Sequence, residues 1–238
     1  MNIETQLLPY SHDDVLLEGF LAFDSETTKP APGILIAHMW GGRVPFVDGI
    51  AQRLAELGYV AFAIDMYGKG VRGNSVQECS ELMQPFLEDR DLLQERVSLA
   101  WKVLCEQSMV DADRTAAIGY CFGGMCVLDL ARAGTATNGV VSFHGLLKPP
   151  STPSDNKIAS KMLLLHGSED PLADMEDVAA IAKELDNQQA DWQIHLFGGA
   201  AHAFTNPQAQ DISRGTVYQK SADERSWRLM LEFLQEVL

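Results

Sequence analysis

The chain has 238 residues, a length that suits one α/β domain over residues 1–238 with enough sequence for a large apolar core. Acidic residues outnumber basic residues 33 to 18, and the net charge of −15 argues against nucleic acid or an anionic membrane surface as a partner. We see neither a signal peptide nor an apolar run of membrane-spanning length. The four cysteines show no C-x-x-C pair and no zinc-ligand spacing, so we expect reduced thiols in a cytoplasmic protein.

The first part of the chain predicts a unit of parallel sheet. Strands are expected over 3–10 and 15–23, followed by a continuous apolar run over 33–37 that is typical of a strand buried on both faces. Helical spacing of apolar residues follows over 47–57, and the next buried strand is expected over 59–64. A strand, a helix and a strand in this order are typical of the βαβ unit of a parallel sheet.

The rest of the chain continues the alternation of helices and strands. Pro85 is expected to separate a short helix over 75–84 from a long amphipathic helix over 87–106, in which Cys105 lies on the apolar face. A turn is expected at 111–114 and a proline-rich loop at 149–157. The remaining predicted elements are strands over 115–118, 139–143, 162–165 and 192–197 and helices over 125–131, 174–186 and 217–236. The sequence therefore predicts an α/β fold with a mostly parallel central sheet and helices on both faces.

The most informative stretch is Gly119-Tyr120-Cys121-Phe122-Gly123, which lies between a predicted strand and a predicted helix. Its spacing is that of the G-x-S-x-G nucleophile elbow, with cysteine in place of serine. Glycines are needed on both sides because strand and helix approach too closely for a Cβ atom. The start of a helix favours an anion, so a thiol at the apex is expected to ionise more readily than a free thiol. The alternative is a buried cysteine that only fills space.

Two further strand ends carry residues that suit nucleophilic catalysis. Asp170 follows the strand over 162–165, and His202 follows the strand over 192–197. The order of nucleophile, acid and histidine along the chain is that of α/β-hydrolases, in which the histidine takes the proton of the nucleophile and the acid orients the imidazole. Alternatively, Asp170 caps the next helix, or the neighbouring Glu169 is the acid.

The other histidines at strand ends are expected to have structural roles. His144 and His166 each precede a glycine and are predicted to support loops through hydrogen bonds, whereas His12 is predicted to be a solvated turn residue. Acyl transfer also needs hydrogen-bond donors for the developing oxyanion. We predict the backbone N–H groups of Phe122 and Trp40 as these donors, with that of Met39 as the alternative to Trp40.

Together these motifs resemble the dienelactone hydrolase family of α/β-hydrolases. The residues that carry the resemblance are the elbow around Cys121, His166-Gly167-Ser168-Glu169-Asp170-Pro171 and Ala201-His202-Ala203-Phe204. The resemblance implies an α/β-hydrolase fold and a triad of Cys121, His202 and Asp170. It also implies hydrolysis of a small-molecule ester or lactone through an acyl-cysteine intermediate, with no cofactor and no metal. We expect a monomer or a weak homodimer.

The chain departs from the family pattern at two places. Met39 occupies the position where members commonly carry a glutamate near the thiol, which leaves His202 as the evident base. Thr205-Asn206-Pro207 stands where an arginine that holds a substrate carboxylate is expected, and Arg72 is only a guess for a second such arginine. We therefore expect an apolar pocket for a neutral ester, lined by Met39, Trp40, Met66 and Tyr67. The alternatives are a thioesterase or acyltransferase on the same triad, and a non-catalytic thiol-bearing binding module.

Overall fold

A central sheet organises the computed structural model, which describes residues 1–151 and 157–238. Its strands are β1 (Ile3–His12), β2 (Val15–Asp24), β3 (Ala31–Ala37), β4 (Val60–Ala63), β5 (Val110–Tyr120), β6 (Gly139–Phe143), β7 (Lys161–Gly167) and β8 (Trp192–Phe197). They lie in the order β1-β2-β4-β3-β5-β6-β7-β8. The strands from β4 to β8 run parallel, and β1 and β2 add an antiparallel edge. The predicted α/β-hydrolase fold is confirmed.

Helices cover both faces of this sheet. They are α1 (Pro45–Ala55), α2 (Val76–Glu88), α3 (Arg90–Cys105), α4 (Phe122–Arg132), α5 (Met175–Asn187) and α6 (Lys220–Val237). Alternate residues of β3 enter opposite cores: Leu35 packs in the core that α3, α4 and α5 cover, and Ile34 in the core that α1 and α6 cover. This burial on both faces explains why β3 is a continuous apolar run rather than an alternating one.

Four local predictions differ from the structure. Pro85 lies inside α2, which continues to Glu88, because a single proline removes one helical hydrogen bond without ending the helix. Residues 111–114 belong to β5 rather than to a turn, since β5 pairs with β3 on both sides of a register shift. Cys105, in the last turn of α3, is only half-buried.

His12 is the fourth difference. It ends β1 and packs against the guanidinium of Arg96, with Nδ1 3.3 Å from Nη2, instead of lying in solvent. Arg96 is itself buried and donates a hydrogen bond to the Met66 carbonyl at 2.9 Å. Of the predicted loop at 149–157, residues 152–156 lie outside the described residues.

The tight approach of α4 to the sheet predicts a large effect of one added methyl group. A Cβ atom at Gly123 would lie 2.2 Å from the carbonyl oxygen of Ala37, and one at Gly119 would lie 2.0 Å from that of Gly123. We expect Gly123→Ala to lower the free energy of unfolding by about 3 kcal/mol or more, because backbone atoms have to move. Gly49→Ala is the control: apart from its chain neighbours and the adjacent backbone of α1, no described atom lies within 4 Å of its Cβ position, and alanine there is expected to stabilise by about 0.5–1 kcal/mol. Urea denaturation of both variants measures the difference.

Candidate active site

Cys121 lies at the apex of a sharp turn between β5 and α4. Its backbone has φ of 56° and ψ of −115°, a conformation that residues with a side chain rarely adopt, and the residue is 8% exposed. Backbone strain of this kind is concentrated at functional sites. The flanking Gly119 and Gly123 allow the turn, as the sequence predicted, because any Cβ atom there would overlap backbone.

Asp170 and His202 meet at the same edge of the sheet as Cys121, where the parallel strands β5, β7 and β8 end. Asp170 lies in the loop after β7 and His202 in the loop after β8, and Nδ1 of His202 donates a hydrogen bond to Oδ2 of Asp170 at 2.7 Å. The other carboxylate oxygen, Oδ1, accepts the N–H of Leu172 at 2.9 Å. The structure thus brings together two of the three predicted triad side chains in a direct contact. Glu169, the alternative acid, is exposed.

The charge of Cys121 affects the pKa of His202, whose second ring nitrogen is Nε2. Nε2 is buried and has no hydrogen-bond partner in the part of the chain that the structure describes. Burial lowers the pKa of His202, but the negative charges of the Cys121 thiolate and the Asp170 carboxylate outweigh it and raise this pKa to about 10. A histidine with this pKa is an imidazolium at neutral pH.

A buried histidine that the sequence analysis did not single out fixes the loop after β3. His38 donates through Nδ1 to the Met39 carbonyl at 2.6 Å and accepts the Met66 N–H at Nε2, at 3.2 Å. Burial lowers its pKa, so the ring is neutral and can both donate and accept. The carbonyl of Trp40 accepts a hydrogen bond from the Tyr67 hydroxyl at 2.9 Å. The signal in the sequence was a histidine placed directly after a fully apolar strand.

The two predicted oxyanion donors lie in this loop and at the start of α4. Within residues 1–151 and 157–238, the N–H groups of Trp40 and Phe122 donate no hydrogen bond to another backbone group. Phe122 is the first residue of α4, where an N–H has no helical partner. The N–H of Met39, the alternative to Trp40, likewise donates to no backbone group in these ranges, so the choice of oxyanion donors stays a prediction.

A cavity of about 590 Å³ joins these groups and is bordered by Cys121, His202, Met39 and Trp40. Two residues that we predicted in this wall, Met66 and Tyr67, do not line it. Met66 is fully buried, and the ring of Tyr67 stacks on the Phe122 ring with centroids 5.7 Å apart. The Asp65 carboxylate accepts the N–H groups of Tyr67 and Gly68, and this turn directs the chain behind the cavity.

The cavity wall also contains residues that the sequence did not suggest. Cys79 and Met83 come from α2, and Leu146 and Leu172 come from loops. Arg214 follows a two-residue strand, β9 (Gln210–Asp211), and its guanidinium lies 4.8 Å from the centre of the Trp40 ring. No motif in the sequence marked this arginine, since it comes from a polar segment remote from the elbow. Arg72, the guessed arginine, is exposed and does not line the cavity.

The described part of the chain offers neither a metal site nor a membrane-spanning helix. Among residues 1–151 and 157–238, no group of three or more His, Cys, Asp or Glu side chains is arranged to hold a metal ion. No helix in the same ranges combines the length and the apolar character needed to cross a membrane.

Comparison with known proteins shows which family the chain belongs to. The family model described as "Dienelactone hydrolase family" matches residues 17–238. The chain belongs to the dienelactone hydrolase family. This membership confirms the resemblance that the motifs predicted and the general class of activity, a hydrolase related to carboxymethylenebutenolidases and esterases.

Three relatives show how far the similarity of this chain to known proteins extends. The crystal structure of the dienelactone hydrolase-like promiscuous phosphotriesterase P91 from metagenomic libraries is 32% identical, has a TM-score of 0.95, and aligns over 100% of this chain and 99% of that chain. A probable 2-oxo-3-(5-oxofuran-2-ylidene)propanoate lactonase of a Bradyrhizobium species is 28% identical over 87% of this chain and 85% of its own length. The esterase YpfH of Escherichia coli K12 is 29% identical over 82% of this chain and 88% of its own length.

Proposed function

We propose that the protein hydrolyses a carboxylic ester or lactone with Cys121 as the nucleophile. The observation that carries this proposal is the 2.7 Å contact between His202 and Asp170 beside the same cavity that Cys121 borders at its strained turn. In this role His202 manages protons, and Asp170 holds its imidazole in the tautomer with the proton on Nδ1. The N–H groups of Phe122 and Trp40 stabilise the oxyanion.

In the acylation half of the reaction, the Cys121 thiolate attacks the carbonyl carbon of the ester. The carbonyl oxygen becomes an oxyanion next to the two N–H donors, and a tetrahedral intermediate forms. As this intermediate collapses, the bond between carbon and the leaving oxygen breaks, and the His202 imidazolium gives its Nε2 proton to the leaving alkoxide. The products of this half are an alcohol and an acyl-cysteine. In a lactone the alcohol stays attached to the acyl group.

In the deacylation half, water enters the cavity and attacks the thioester carbon. His202 is now neutral, and its Nε2 takes a proton from the attacking water. Collapse of the second tetrahedral intermediate expels the Cys121 thiolate, releases the carboxylic acid and restores the ion pair with His202. Because His202 carries each proton transfer in this cycle, the cycle does not require a glutamate at position 39.

A trapping experiment tests the proposed intermediate. A slowly deacylating aryl ester is mixed with the protein at acidic pH, the reaction is quenched within milliseconds, and the peptide that contains Cys121 is weighed by mass spectrometry. We expect the mass of one acyl group on Cys121 and none on Cys79, the other cysteine of the cavity wall. An acyl group found on another residue, or on none while the alcohol product accumulates in a burst, would contradict the nucleophile assignment.

Arg214 gives the cavity a preference for esters with a free carboxylate, and this preference can be measured. It brings a cation to the cavity next to Trp40, in a chain with a net charge of −15. We expect Arg214→Gln to raise KM by about 10-fold for an ester with a free carboxylate, the effect of losing one charge-assisted hydrogen bond. KM for the matching neutral ester is expected to stay within about two-fold. Arg72→Gln is the control, since Arg72 is exposed and outside the cavity.

A second candidate activity is the cleavage of neutral phosphotriesters. The relative that favours it is the promiscuous phosphotriesterase P91, at 32% identity over the whole of this chain. Nucleophilic attack on a phosphotriester puts negative charge on the phosphoryl oxygen, as attack on an ester does on the carbonyl oxygen, so one set of oxyanion donors can serve both reactions. An aryl dialkyl phosphate assayed with wild type and Cys121→Ala tests this candidate, and release of the aryl alcohol that survives the substitution would rule out a shared nucleophile.

Other proposals follow from the same residues. A thioesterase or acyltransferase would use the same triad, and product analysis with thioesters and added alcohols distinguishes these reactions. A non-catalytic binding module predicts that Cys121 is alkylated no faster than Cys105, whereas the hydrolase predicts rapid alkylation that depends on His202. We further propose one domain, a monomer or weak homodimer, and a cytoplasmic location, the last supported by four free cysteines in the described residues.

A further inference from the structure

A second buried histidine lies behind His202. His144 directly follows β6, is fully buried, and has its ring centre 5.1 Å from that of His202 with an interplanar angle of 67°. A 2.8 Å hydrogen bond joins its Nε2 to Oγ1 of Thr205. Thr205 lies three residues after His202 on the same loop. His144 therefore contacts the catalytic loop twice, once through the imidazole of His202 and once through the hydroxyl of Thr205.

The position of His144 carries local costs that its one hydrogen bond does not offset. Its φ is 37°, in the left-handed region that residues other than glycine rarely occupy. Nδ1 is buried and has no hydrogen-bond partner within the described ranges. A buried ring nitrogen without a protein partner lowers stability rather than raising it, and strained residues of this kind are concentrated at functional sites. Packing alone would be better served by an apolar side chain here.

His144 is uncharged at neutral pH, which suits its position next to the His202 imidazolium. Burial lowers its pKa well below the ordinary histidine value, and the charge of His202 lowers it further. The ring is therefore neutral at neutral pH, and it adds no positive charge behind His202. The titratable groups that affect it are His202 and His166, with the ring of Tyr120 also nearby.

We propose that His144 is a positioning residue that, through its hydrogen bond to Thr205 and its ring contact, holds the His202 imidazole in the orientation that directs Nε2 toward Cys121. Asp170 fixes the Nδ1 side of the imidazole, whereas His144 supports the ring and the loop that carries it. The Phe204 ring completes this support with its centre 5.0 Å from that of His144. The inference rests on the proposed function, because it assigns a role relative to the Cys121–His202 pair.

The sharpest test changes Thr205 and leaves both histidines in place. Thr205→Val removes the hydroxyl at nearly constant volume, and Thr205→Ser retains it as the matched control. We expect Thr205→Val to lower kcat by about 10-fold to 100-fold with KM within about two-fold, since small displacements of a catalytic group cost this much. The rate of Cys121 alkylation by iodoacetamide at pH 7 is expected to fall by a similar factor. Thr205→Ser is expected to stay within about two-fold of wild type in both assays.

Variants of His144 keep the proposal falsifiable if Thr205→Val folds poorly. His144→Gln can still reach Thr205 through its amide, and His144→Phe keeps an aromatic ring without a hydrogen bond. We expect both variants to lower kcat. The kcat of the double variant His144→Phe/Thr205→Val is expected to be no lower than that of His144→Phe, because the two residues act through one hydrogen bond. Wild-type kcat and alkylation rate in a folded Thr205→Val or His144→Phe protein would overturn the proposal, as would losses that multiply in the double variant. A Cys121→Ala protein that retains activity would instead overturn the proposed function, so the two failures are distinguishable.

Discussion

Cys121→Ala is expected to lower kcat for ester hydrolysis by at least about 10³-fold, the range seen when an enzyme loses its nucleophile but keeps its binding site and oxyanion donors. The turn that holds Cys121 has the same backbone strain with alanine, so the fold is expected to remain intact. Initial rates with an aryl ester and circular dichroism measure the two properties separately. Cys105→Ala, half-buried at the end of α3, is the control and is expected to keep wild-type rates.

The same variant has an electrostatic consequence that a structural role for Cys121 does not predict. In the wild type, the Cys121 thiolate helps raise the pKa of His202 to about 10 against the effect of burial. Alanine removes this charge, so the pKa of His202 should fall, although Asp170 still raises it. NMR titration of the imidazole protons reports the change. Normal hydrolysis in Cys121→Ala, or an unchanged His202 pKa, would argue against the ion pair.

The Cys121→Ser variant changes the chemical identity of the nucleophile while it keeps the position of the nucleophile. A serine hydroxyl does not ionise near neutral pH, so it reacts only when a neutral base removes its proton in the transition state. Without the thiolate, His202 has a lower pKa and spends more of its time neutral, which partly compensates. We therefore expect Cys121→Ser to be slower than wild type and faster than Cys121→Ala, with a rate that rises with pH through the lowered His202 pKa.

The elbow and the two strand-end residues could be predicted from the sequence because they depend on local rules. Glycines at 119 and 123 are required by close backbone approach, and buried strands end where polar loops begin, so Asp170 and His202 could be predicted to lie at one edge of the sheet. These rules concern neighbours in sequence or the general order of strands. They do not depend on how a particular loop folds back.

The cavity wall could not be predicted from the sequence, since it depends on the path of loops. Tyr67 follows a buried strand like the other predicted site residues, but a hydrogen bond from its N–H to the Asp65 carboxylate turns it away from the cavity. Arg214 enters the cavity from a polar segment that no motif marks, and only its contact with Trp40 identifies it. Likewise, His144 was predicted to support a loop, and the structure confirms the hydrogen bond to Thr205, but its contact with His202 is visible only in three dimensions.

Asp170→Asn is expected to have the second large effect, a loss of about 10³-fold to 10⁴-fold in kcat, because the carboxylate uses both oxygens as acceptors. Oδ2 accepts the Nδ1–H of His202 at 2.7 Å, and Oδ1 accepts the N–H of Leu172 at 2.9 Å. Asparagine offers one oxygen and one NH₂ group. If the oxygen faces His202, two donors meet at Leu172, which costs about 1–3 kcal/mol of folding stability.

If the amide of the introduced asparagine turns the other way, its NH₂ group faces Nδ1 of His202. Nδ1 must then accept, and the proton moves to Nε2, where a neutral His202 can no longer take a proton from the thiol or from water. The variant also lacks the negative charge that helps raise the pKa of His202, so the imidazolium is less stable in either orientation. Glu169→Gln is the matched control, since the neighbouring carboxylate is exposed and its loss is expected to change kcat by less than about two-fold. Equal losses in the two variants would mean that local charge, rather than the hydrogen bond from His202, is what the site requires.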